Sequence, residues 1–347
     1  MDTIMTGYFI SGDIGGTKTL LRAAKLSEGR TQVCYERRYP SPDYPSFSDL
    51  LKDFLDDAGE SRMDGSPAAA CFAVAGPIAQ QRASLTNLPW VMDSAVIASE
   101  FSISAVKLVN DFAAVALSIE ILPESELVTL QAGKPYAGEM RVVLGAGTGM
   151  GVAWLVRQGD RYMPLSTEAG HTDFAPADEM QDRLLQHLRK KFDHVSVERI
   201  LSGSGLTNIF NFLSDSRFRD VPEAAPDNAQ AMAQVGLDDD DAARVSELAF
   251  KHKDPIAMKA MDLFVEIYGA YAGNLALAGL TRNGVYVAGG IAPRIIDKLK
   301  EGGFMKAFCD KGRFSSLMTE IPVHGGMNTN AGLLGATQEA QRMLLKK

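Results

Sequence analysis

A strand, a glycine-rich turn and a second strand occur in that order twice in this chain, once near its start and once near its middle. The two predicted sets are strand 8–12, turn 13–17 and strand 19–25, and then strand 141–144, turn 145–151 and strand 152–156. A repeated arrangement of this kind indicates a repeated domain core. The length of 347 residues agrees, since it suits about two domains.

Strands and helices alternate through the first third of the chain. Apolar residues at helical spacing follow Ser46, a typical N-cap residue. Short connections predict that the first three strands are antiparallel, and helical crossovers predict that the later ones are parallel. This order indicates an α/β fold. The further predicted elements are strand 32–39, a helix from 47, strand 70–75, helix 94–101 and strand 106–109.

The rest of the chain is predicted to be mainly helical, with a return to strand near its end. Residues 177–280 read mostly as helix, and the acidic run Asp238–Asp241 is interpreted as the solvent-facing start of a helix at 242–251. A last helix at 331–345 precedes Lys346 and Lys347, which complement its dipole. Between these lie a predicted strand 284–288, the turn Gly289-Gly290 and a helix 291–299.

Charge and cysteine content exclude several classes of protein. The chain has 35 Lys and Arg against 43 Asp and Glu, a net charge of −8, which argues against a nucleic-acid or anionic-membrane binder. Three distant cysteines exclude a disulfide framework and a CxxC metal site. No apolar run is long enough to span a bilayer, and no export signal is evident, so we expect a cytoplasmic protein.

The first glycine turn has two interpretations. Gly15 and Gly16 could point consecutive N–H groups at an anion, and Thr17 could add its hydroxyl. Asp13, at the end of a strand, could hold the water shell of a magnesium ion. Taken alone, the same residues favour a plain hairpin turn.

The second glycine turn favours the ligand-binding interpretation. Glycine at every second position from Gly145 to Gly151 leaves room for a bulky ligand against the backbone. The turn is neither a Walker A loop nor GxGxxG, and a strand rather than a helix is predicted after it. Two glycine hairpins, one in each half, fit a nucleotide held between two similar domains.

Three further groups of polar residues are candidates for chemistry. Asn110 and Asp111 follow a predicted strand, where α/β sheets bind ligands, although Asp111 could instead cap the next helix. Glu168 and His171 lie in a loop whose polar groups suit a ligand with many hydroxyls, because Gly170 argues against the helix that a metal pair needs. Glu198 falls in the predicted first turn of a helix, where it would ordinarily be a surface acid.

In order, these motifs resemble the bacterial ATP-dependent glucokinases of the hexokinase/actin-like ATPase superfamily. The resemblance covers essentially the whole chain and rests on GDIGGTKT, LVNDF, GAGTGMGVA, EAGHTDFAP, SVERILSGSGL and VYVAGGIAPR. It implies an α/β, two-domain actin-like ATPase (ribonuclease H-like) fold with an interdomain cleft. The implied small domain is 1–110 plus 331–347, and the implied large domain is 111–330.

The resemblance also implies ATP-dependent phosphorylation of glucose at its 6-hydroxyl, with Mg²⁺ carried by the nucleotide. Asp111 would be the catalytic base, and no residue would be a direct metal ligand. A homodimer is expected. The implied sugar-binding residues are Asn110, Glu168, His171 and Glu198; those facing the phosphates are Gly15, Gly16, Thr17, Gly147 and Thr148, with Asp13 beside them; and those near the adenosine are Gly289 and Gly290.

Two departures and two alternatives accompany the resemblance. Ala169 stands where a glycine is frequent, and no cysteine lies between Cys71 and Cys309, unlike the cysteine-rich zinc cluster of ROK-type sugar kinases. A related kinase could prefer fructose, mannose or an amino sugar. A non-catalytic sugar sensor is the other alternative, which the presence of Asp111 disfavours.

Overall fold

A computed structural model describes residues 7–60, 65–85, 88–215 and 241–345. The chain forms two compact units. The first comprises Met1–Leu122, Gln158–Ser166 and Thr329–Lys347, and the second comprises Pro123–Arg157 and Thr167–Asn328. The domain limits at 110 and 330 stay predictions, and the two compact units have their own bounds.

The first unit is built on a five-stranded sheet in the order β3-β2-β1-β4-β8. The first three strands are antiparallel, while β1, β4 and β8 are parallel, which confirms the predicted change of direction. A small antiparallel sheet, β5-β6-β7, is formed by residues that lie between β4 and β8 in the sequence. The strands are β1 (Tyr8–Ile14), β2 (Lys18–Ser27), β3 (Arg30–Pro40), β4 (Ala69–Val74), β5 (Ile78–Ala79), β6 (Arg82–Ser84), β7 (Val91–Asp93) and β8 (Val106–Asn110).

Helices of the first unit are α1 (Phe47–Glu60), α2 (Ser94–Glu100), α3 (Asp111–Ser118) and, from the end of the chain, α11 (Ala331–Leu345). The predicted cap of α1 is confirmed, because Ser46 Oγ accepts the N–H of Asp49 at 3.2 Å. Lys346 and Lys347 lie outside the described residues.

Helix α11 packs on β1, β4 and α3, and so returns the C-terminal segment to the first unit. Ser11 Oγ of β1 and Thr337 Oγ1 of α11 are 2.8 Å apart in a buried hydrogen bond. Gly335 allows α11 to approach α3 closely, since a Cβ there would lie 1.7 Å from the carbonyl oxygen of Ala114.

A second sheet has six strands in the order β12-β11-β10-β13-β14-β9. Its β10–β11 pair is the predicted antiparallel hairpin with the second glycine turn, and β10, β13 and β14 are parallel. The strands are β9 (Leu127–Gln131), β10 (Arg141–Ala146), β11 (Met150–Gln158), β12 (Arg161–Thr167), β13 (Val285–Ala288) and β14 (Val323–Gly326).

The helices after residue 178 form a large apolar core with the second sheet. The long helix α7 (Pro255–Gly279) contributes many of the buried residues of this core. Asp254 caps α7 by accepting the N–H groups of Ile256 and Ala257, and Pro255 occupies its first turn. The described helices are α4 (Glu179–Leu188), α5 (Gly203–Ser214), α6 (Ala242–Phe250), α7 (Pro255–Gly279), α8 (Ile296–Lys300), α9 (Gly303–Cys309) and α10 (Ser315–Met318). Within the described ranges, none of the helices is long and apolar enough to cross a membrane.

Two of the predicted helices of the second half are wrong, and a third is confirmed. The single helix predicted at 291–299 is wrong: a 3₁₀ turn, Ala292–Arg294, precedes α8, because the backbone leaves helical geometry between them at Ile295, with φ −117° and ψ 16°. The helix predicted to contain Glu198 in its first turn is also wrong there, since Val197–Arg199 is a 3₁₀ turn and α5 begins at Gly203. The helix predicted at 242–251 is confirmed as α6, but Asp238 to Asp240 lie outside the described residues.

The contact at Gly335 gives a test of the fold. Gly335→Ala forces a methyl group onto the main chain of Ala114, so we expect the free energy of unfolding to fall by at least about 2 kcal/mol. Urea unfolding followed by circular dichroism measures it. The matched control is Gly59→Ala, at an exposed helical site in α1 with open space, which should gain about 0.5–1 kcal/mol. Equal stability of Gly335→Ala and the unaltered protein would contradict the close packing.

Candidate active site

The first glycine turn joins β1 to β2 and is braced by Ser41. Ser41 donates its hydroxyl to the Gly15 carbonyl at 2.7 Å and its N–H to the Thr17 carbonyl at 3.2 Å. The Gly15 N–H is bonded to the Lys18 carbonyl at 3.1 Å, so this amide is not directed at an anion. The groups of this turn that suit an anion are therefore the amides of Gly16 and Thr17 and the exposed Thr17 hydroxyl.

Asp13 is a partly buried carboxylate near the end of β1. Burial raises the pKa of Asp13 above its ordinary value, and the nearby Lys18 ammonium only partly offsets this. The start of α11 lies against the carboxylate, since a Cβ at Gly332 would be 3.1 Å from Asp13 Oδ2. The positive end of that helix favours the ionised form. A single carboxylate is a suitable protein ligand for a Mg²⁺ ion that keeps most of its water shell.

In the second unit, the glycine turns of β10 and β13 lie side by side. These two strands are parallel neighbours, so their carboxyl ends meet at one edge of the sheet. The Ile291 N–H donates to the Ala146 carbonyl at 3.1 Å, and the Gly290 nitrogen lies 4.0 Å from where a Cβ of Gly147 would be. The structure thus brings together Gly147, Gly289 and Gly290, which sequence reasoning assigned to one nucleotide.

Gly289 and Thr148 show why these turns have the residues they have. Gly289 has φ +82°, and a Cβ there would lie 2.6 Å from the Ala146 carbonyl oxygen, so glycine is required twice over. Thr148, at the tip of the β10–β11 turn, is exposed. The Gly147 N–H is bonded to the Gly149 carbonyl at 2.8 Å, which leaves the turn compact.

Glu198 lies behind the β10–β11 turn and is not an ordinary surface acid. Its side chain is half-buried, and Oε2 accepts the Met150 N–H at 2.9 Å. A Cβ at Gly149 would lie 2.5 Å from the same oxygen. Glycine at 149 therefore makes room for this carboxylate, a requirement that the alternating glycines alone did not reveal.

The loop from Glu168 to His171 contacts the same residue, Met150. It forms a 3₁₀ turn, Ala169–His171, in which the His171 N–H donates to the Glu168 carbonyl at 3.0 Å. Gly170 lies directly on the Met150 carbonyl, since a Cβ there would be 2.1 Å from that oxygen. The side chains of Glu168 and His171 are exposed. The three sugar-binding candidates of the second unit, Glu168, His171 and Glu198, thus lie on segments that contact one residue.

Asn110, and not Asp111, caps helix α3. Asn110 Oδ1 accepts the N–H groups of Phe112 at 3.1 Å and Ala113 at 3.0 Å. Its Nδ2 donates to Asp111 Oδ1 at 3.0 Å and to the Gly76 carbonyl at 3.3 Å. Asp111 Oδ1 also accepts the Phe112 N–H at 2.8 Å. One oxygen of Asp111 is therefore fixed at the positive end of α3, and the alternative that Asp111 is the cap is wrong.

Sequence reasoning missed the residues that hold the candidates in place. Gly149, Gly170 and Ser41 contact them directly, and Gly203 donates its N–H to the Gly147 carbonyl at 2.9 Å. Gly149, Gly170 and Gly203 lie inside quoted motifs, but which atom each glycine accommodates depends on chain segments that are distant in the sequence. Among the described residues, no group of three or more His, Cys, Asp or Glu is placed to hold a metal ion.

Comparison with known proteins identifies the family. The family model named Glucokinase matches residues 10–343. The glucokinase of Nostoc sp. is 41% identical over 344 residues, covering 96% of this chain and 99% of that protein. The chain belongs to the glucokinase family. It is therefore an enzyme, a sugar kinase, and the alternative of a non-catalytic sensor is wrong.

Solved structures agree on the fold. A glucokinase from an Antarctic psychrotroph has TM-score 0.80 and 29% identity, covering 97% of this chain and 99% of that one. A ROK family glucokinase from Streptomyces griseus, in complex with glucose and AMPPNP, has TM-score 0.61 and 19% identity, covering 97% and 100%. The predicted α/β, two-domain actin-like ATPase fold is confirmed.

The raised pKa of Asp13 makes a prediction about stability. A carboxyl whose pKa is higher in the folded protein than in the unfolded chain lowers stability as pH rises through the folded value. Asp13→Asn should therefore increase the free energy of unfolding at pH 7, and the gain should vanish as pH falls below about 4, near the ordinary value. Urea unfolding between pH 3 and 7 measures this.

The exposed Asp56→Asn in α1 is the control for the change in net charge. It should alter stability little at any pH. A loss of stability in Asp13→Asn at pH 7 would contradict the view that the buried charge is costly.

Proposed function

We propose that this enzyme transfers the γ-phosphoryl group of ATP to the 6-hydroxyl of D-glucose. The observation that carries the proposal is the arrangement around Met150, where the turn of Gly147 and Thr148 meets the segments that hold Glu168, His171 and Glu198. Main-chain amides in a glycine turn suit phosphate, and carboxylate and imidazole groups suit sugar hydroxyls. Family membership and the glucose and AMPPNP bound by the Streptomyces griseus protein support it.

The sugar is held by hydroxyl hydrogen bonds. Glu168 and Glu198 accept hydroxyl protons, and His171 can donate or accept according to its tautomer. Asn110 reaches a hydroxyl through Nδ2, in place of its longer bond, 3.3 Å, to the Gly76 carbonyl. Buried partners left unpaired by a wrong hydroxyl would give selectivity of up to about 10⁴.

The phosphates are held by the two glycine hairpins. Gly15, Gly16 and Thr17 provide one turn. In it, the Gly15 amide donates to the Lys18 carbonyl and so shapes the loop, rather than donating to a phosphate. Gly147 and Thr148 provide the other, and Gly289 and Gly290 lie near the adenosine. Mg²⁺ on the nucleotide would neutralise charge on the β- and γ-phosphates. Asp13 would hold its water shell, because Mg²⁺ keeps several waters and prefers carboxylate oxygens.

Asp111 is the general base in this proposal. Its carboxylate takes the proton of the 6-hydroxyl as the sugar oxygen forms a bond to the γ-phosphorus and the bond to the ADP oxygen breaks. The Phe112 N–H and Asn110 Nδ2 hold Oδ1, so the carboxylate plane has a defined direction. The positive end of α3 favours the negative charge that a base needs. A homodimer and a cytoplasmic location are further parts of the proposal, drawn from the family resemblance.

The base is tested by Asp111→Asn. We expect kcat to fall at least about 10²-fold, because general-base groups contribute roughly 10²–10⁴ in rate, while glucose still binds. A coupled assay of ADP release gives kcat, and calorimetry gives glucose affinity. The same assay over glucose, fructose, mannose and an amino sugar should give glucose the highest kcat/KM.

Asp93→Asn is the matched control, because Asp93 is also an aspartate at a helix start of the first unit and caps α2. Asparagine caps as well as aspartate, so kcat should not change. An Asp111→Asn enzyme with unaltered kcat would remove Asp111 from the mechanism, and a higher kcat/KM for another hexose would overturn the choice of glucose.

A further inference from the structure

Two tyrosines on helix α7 each place their hydroxyl on the main chain of a different candidate loop. Tyr268 and Tyr271 are three residues apart and therefore lie on the same side of the helix. The Tyr271 hydroxyl donates to the Ala169 carbonyl at 2.7 Å. The Tyr268 hydroxyl accepts the Ala146 N–H at 3.0 Å. Neither tyrosine has a role in the mechanism above.

The Tyr271 bond ends inside the loop of Glu168 and His171. The Ala169 carbonyl also accepts the N–H of Thr172 at 3.1 Å and its hydroxyl at 2.7 Å. Those two bonds close the turn on itself, whereas Tyr271 joins the same oxygen to a core helix 102 residues away in the chain. The hydroxyl therefore joins the turn to that core by a directional bond.

A cavity beside this bond makes it more important. The cavity, about 190 Å³, lies between α7 and the segment that follows the turn, and its lining includes Thr172, Phe174, Tyr271 and Asn274. Phe174 and Tyr271 belong to one apolar core, but the cavity leaves part of the space between the segment and the helix unfilled. The hydroxyl bond at Ala169 supplies a directional contact at its edge.

Both hydroxyls keep their protons at neutral pH. Burial raises the pKa of Tyr271 to about 12, with the Thr172 hydroxyl opposing the change. Burial likewise raises the pKa of Tyr268, which the Ala146 amide opposes. The two contacts are thus the same throughout the pH range in which ATP is used as a substrate.

We propose that α7 positions both substrate loops, Tyr271 holding the sugar loop through Ala169 and Tyr268 holding the phosphate turn through Ala146. The inference rests on the proposed function, because it takes Glu168 and His171 as sugar-binding and Gly147 and Thr148 as phosphate-binding. Each tyrosine is a positioning residue, and each should affect one substrate. Loss of one hydroxyl lets one loop move and leaves the other where it is.

The test is a pair of conservative variants, Tyr271→Phe and Tyr268→Phe. We expect Tyr271→Phe to raise the glucose KM and Kd about tenfold, the value of one hydrogen bond, with the ATP KM within about twofold. Tyr268→Phe should raise the ATP KM about tenfold and leave the glucose KM within about twofold. Hydrogen–deuterium exchange should become faster at 168–172 in the first variant and at 145–150 in the second, without a general increase along α7.

Tyr39→Phe is the control for loss of a hydrogen-bonded tyrosine hydroxyl, since Tyr39 is a buried residue of β3 in the first unit whose hydroxyl donates to Asp57 Oδ2 at 3.2 Å. It should change neither KM. Equal effects of the α7 variants on both substrates, or faster exchange throughout the protein, would show that the tyrosines act only on stability and would overturn the proposal.

Glu168→Ala separates this inference from the proposed function. If Glu168→Ala weakens glucose binding and Tyr271→Phe does not, the sugar site stands and the positioning role is wrong. If Glu168→Ala binds glucose normally, the sugar-site assignment fails, and the positioning proposal fails with it.

Discussion

The main chain of residues 145–150 is the part of the second unit on which its other candidate groups depend. This short stretch ends β10, turns through Gly147 and Thr148, and begins β11. Polar atoms of its backbone are bonded to segments from four other parts of the chain. The bonds are from Ile291 N to Ala146 O, from Gly203 N to Gly147 O, from Met150 N to Glu198 Oε2 and from Ala146 N to Tyr268 Oη.

Because one backbone segment makes these bonds, the positions of the loops that it contacts all depend on that segment. Glycines make the approach possible, since a Cβ would strike Glu198 at Gly149, the Met150 carbonyl at Gly170 and the Ala146 carbonyl at Gly289. Groups that suit hydroxyls and groups that suit phosphate are thereby brought into contact with one backbone segment. Phosphoryl transfer depends mainly on such positioning and on fixed N–H donors, so an arrangement of this kind is what the reaction requires.

Local patterns were enough to predict most of the fold. Apolar alternation and glycine turns predicted the hairpins, and short or helical connections predicted which strands are parallel. The failures are equally local in origin: the backbone leaves helical geometry at Ile295, inside one predicted helix, and Ser202, whose side chain accepts the Gly205 N–H, sets the start of α5 beyond Glu198. Spacing also left Asp111 undecided between a chemical role and the cap of α3, and the structure assigns the cap to Asn110.

The candidate site was harder to predict than the fold, because its geometry comes from distant contacts. Family motifs named Glu198 as a site residue, but only the fold shows that its carboxylate bonds Met150, 48 residues away. Tyr271 carries no signal in its sequence neighbourhood, since its partner Ala169 is 102 residues away. Apolar periodicity describes the surroundings of a helix and does not identify the atom that a buried hydroxyl will meet.

The most direct measurement of this shared contact is hydrogen–deuterium exchange of the 145–151 segment with saturating glucose and no nucleotide. Sugar held on Glu198 should tighten the bond from the Met150 N–H, so exchange in that segment should become slower even though no phosphate is present. Slower exchange at 168–172 alone, with 145–151 unchanged while glucose is bound, would contradict the account.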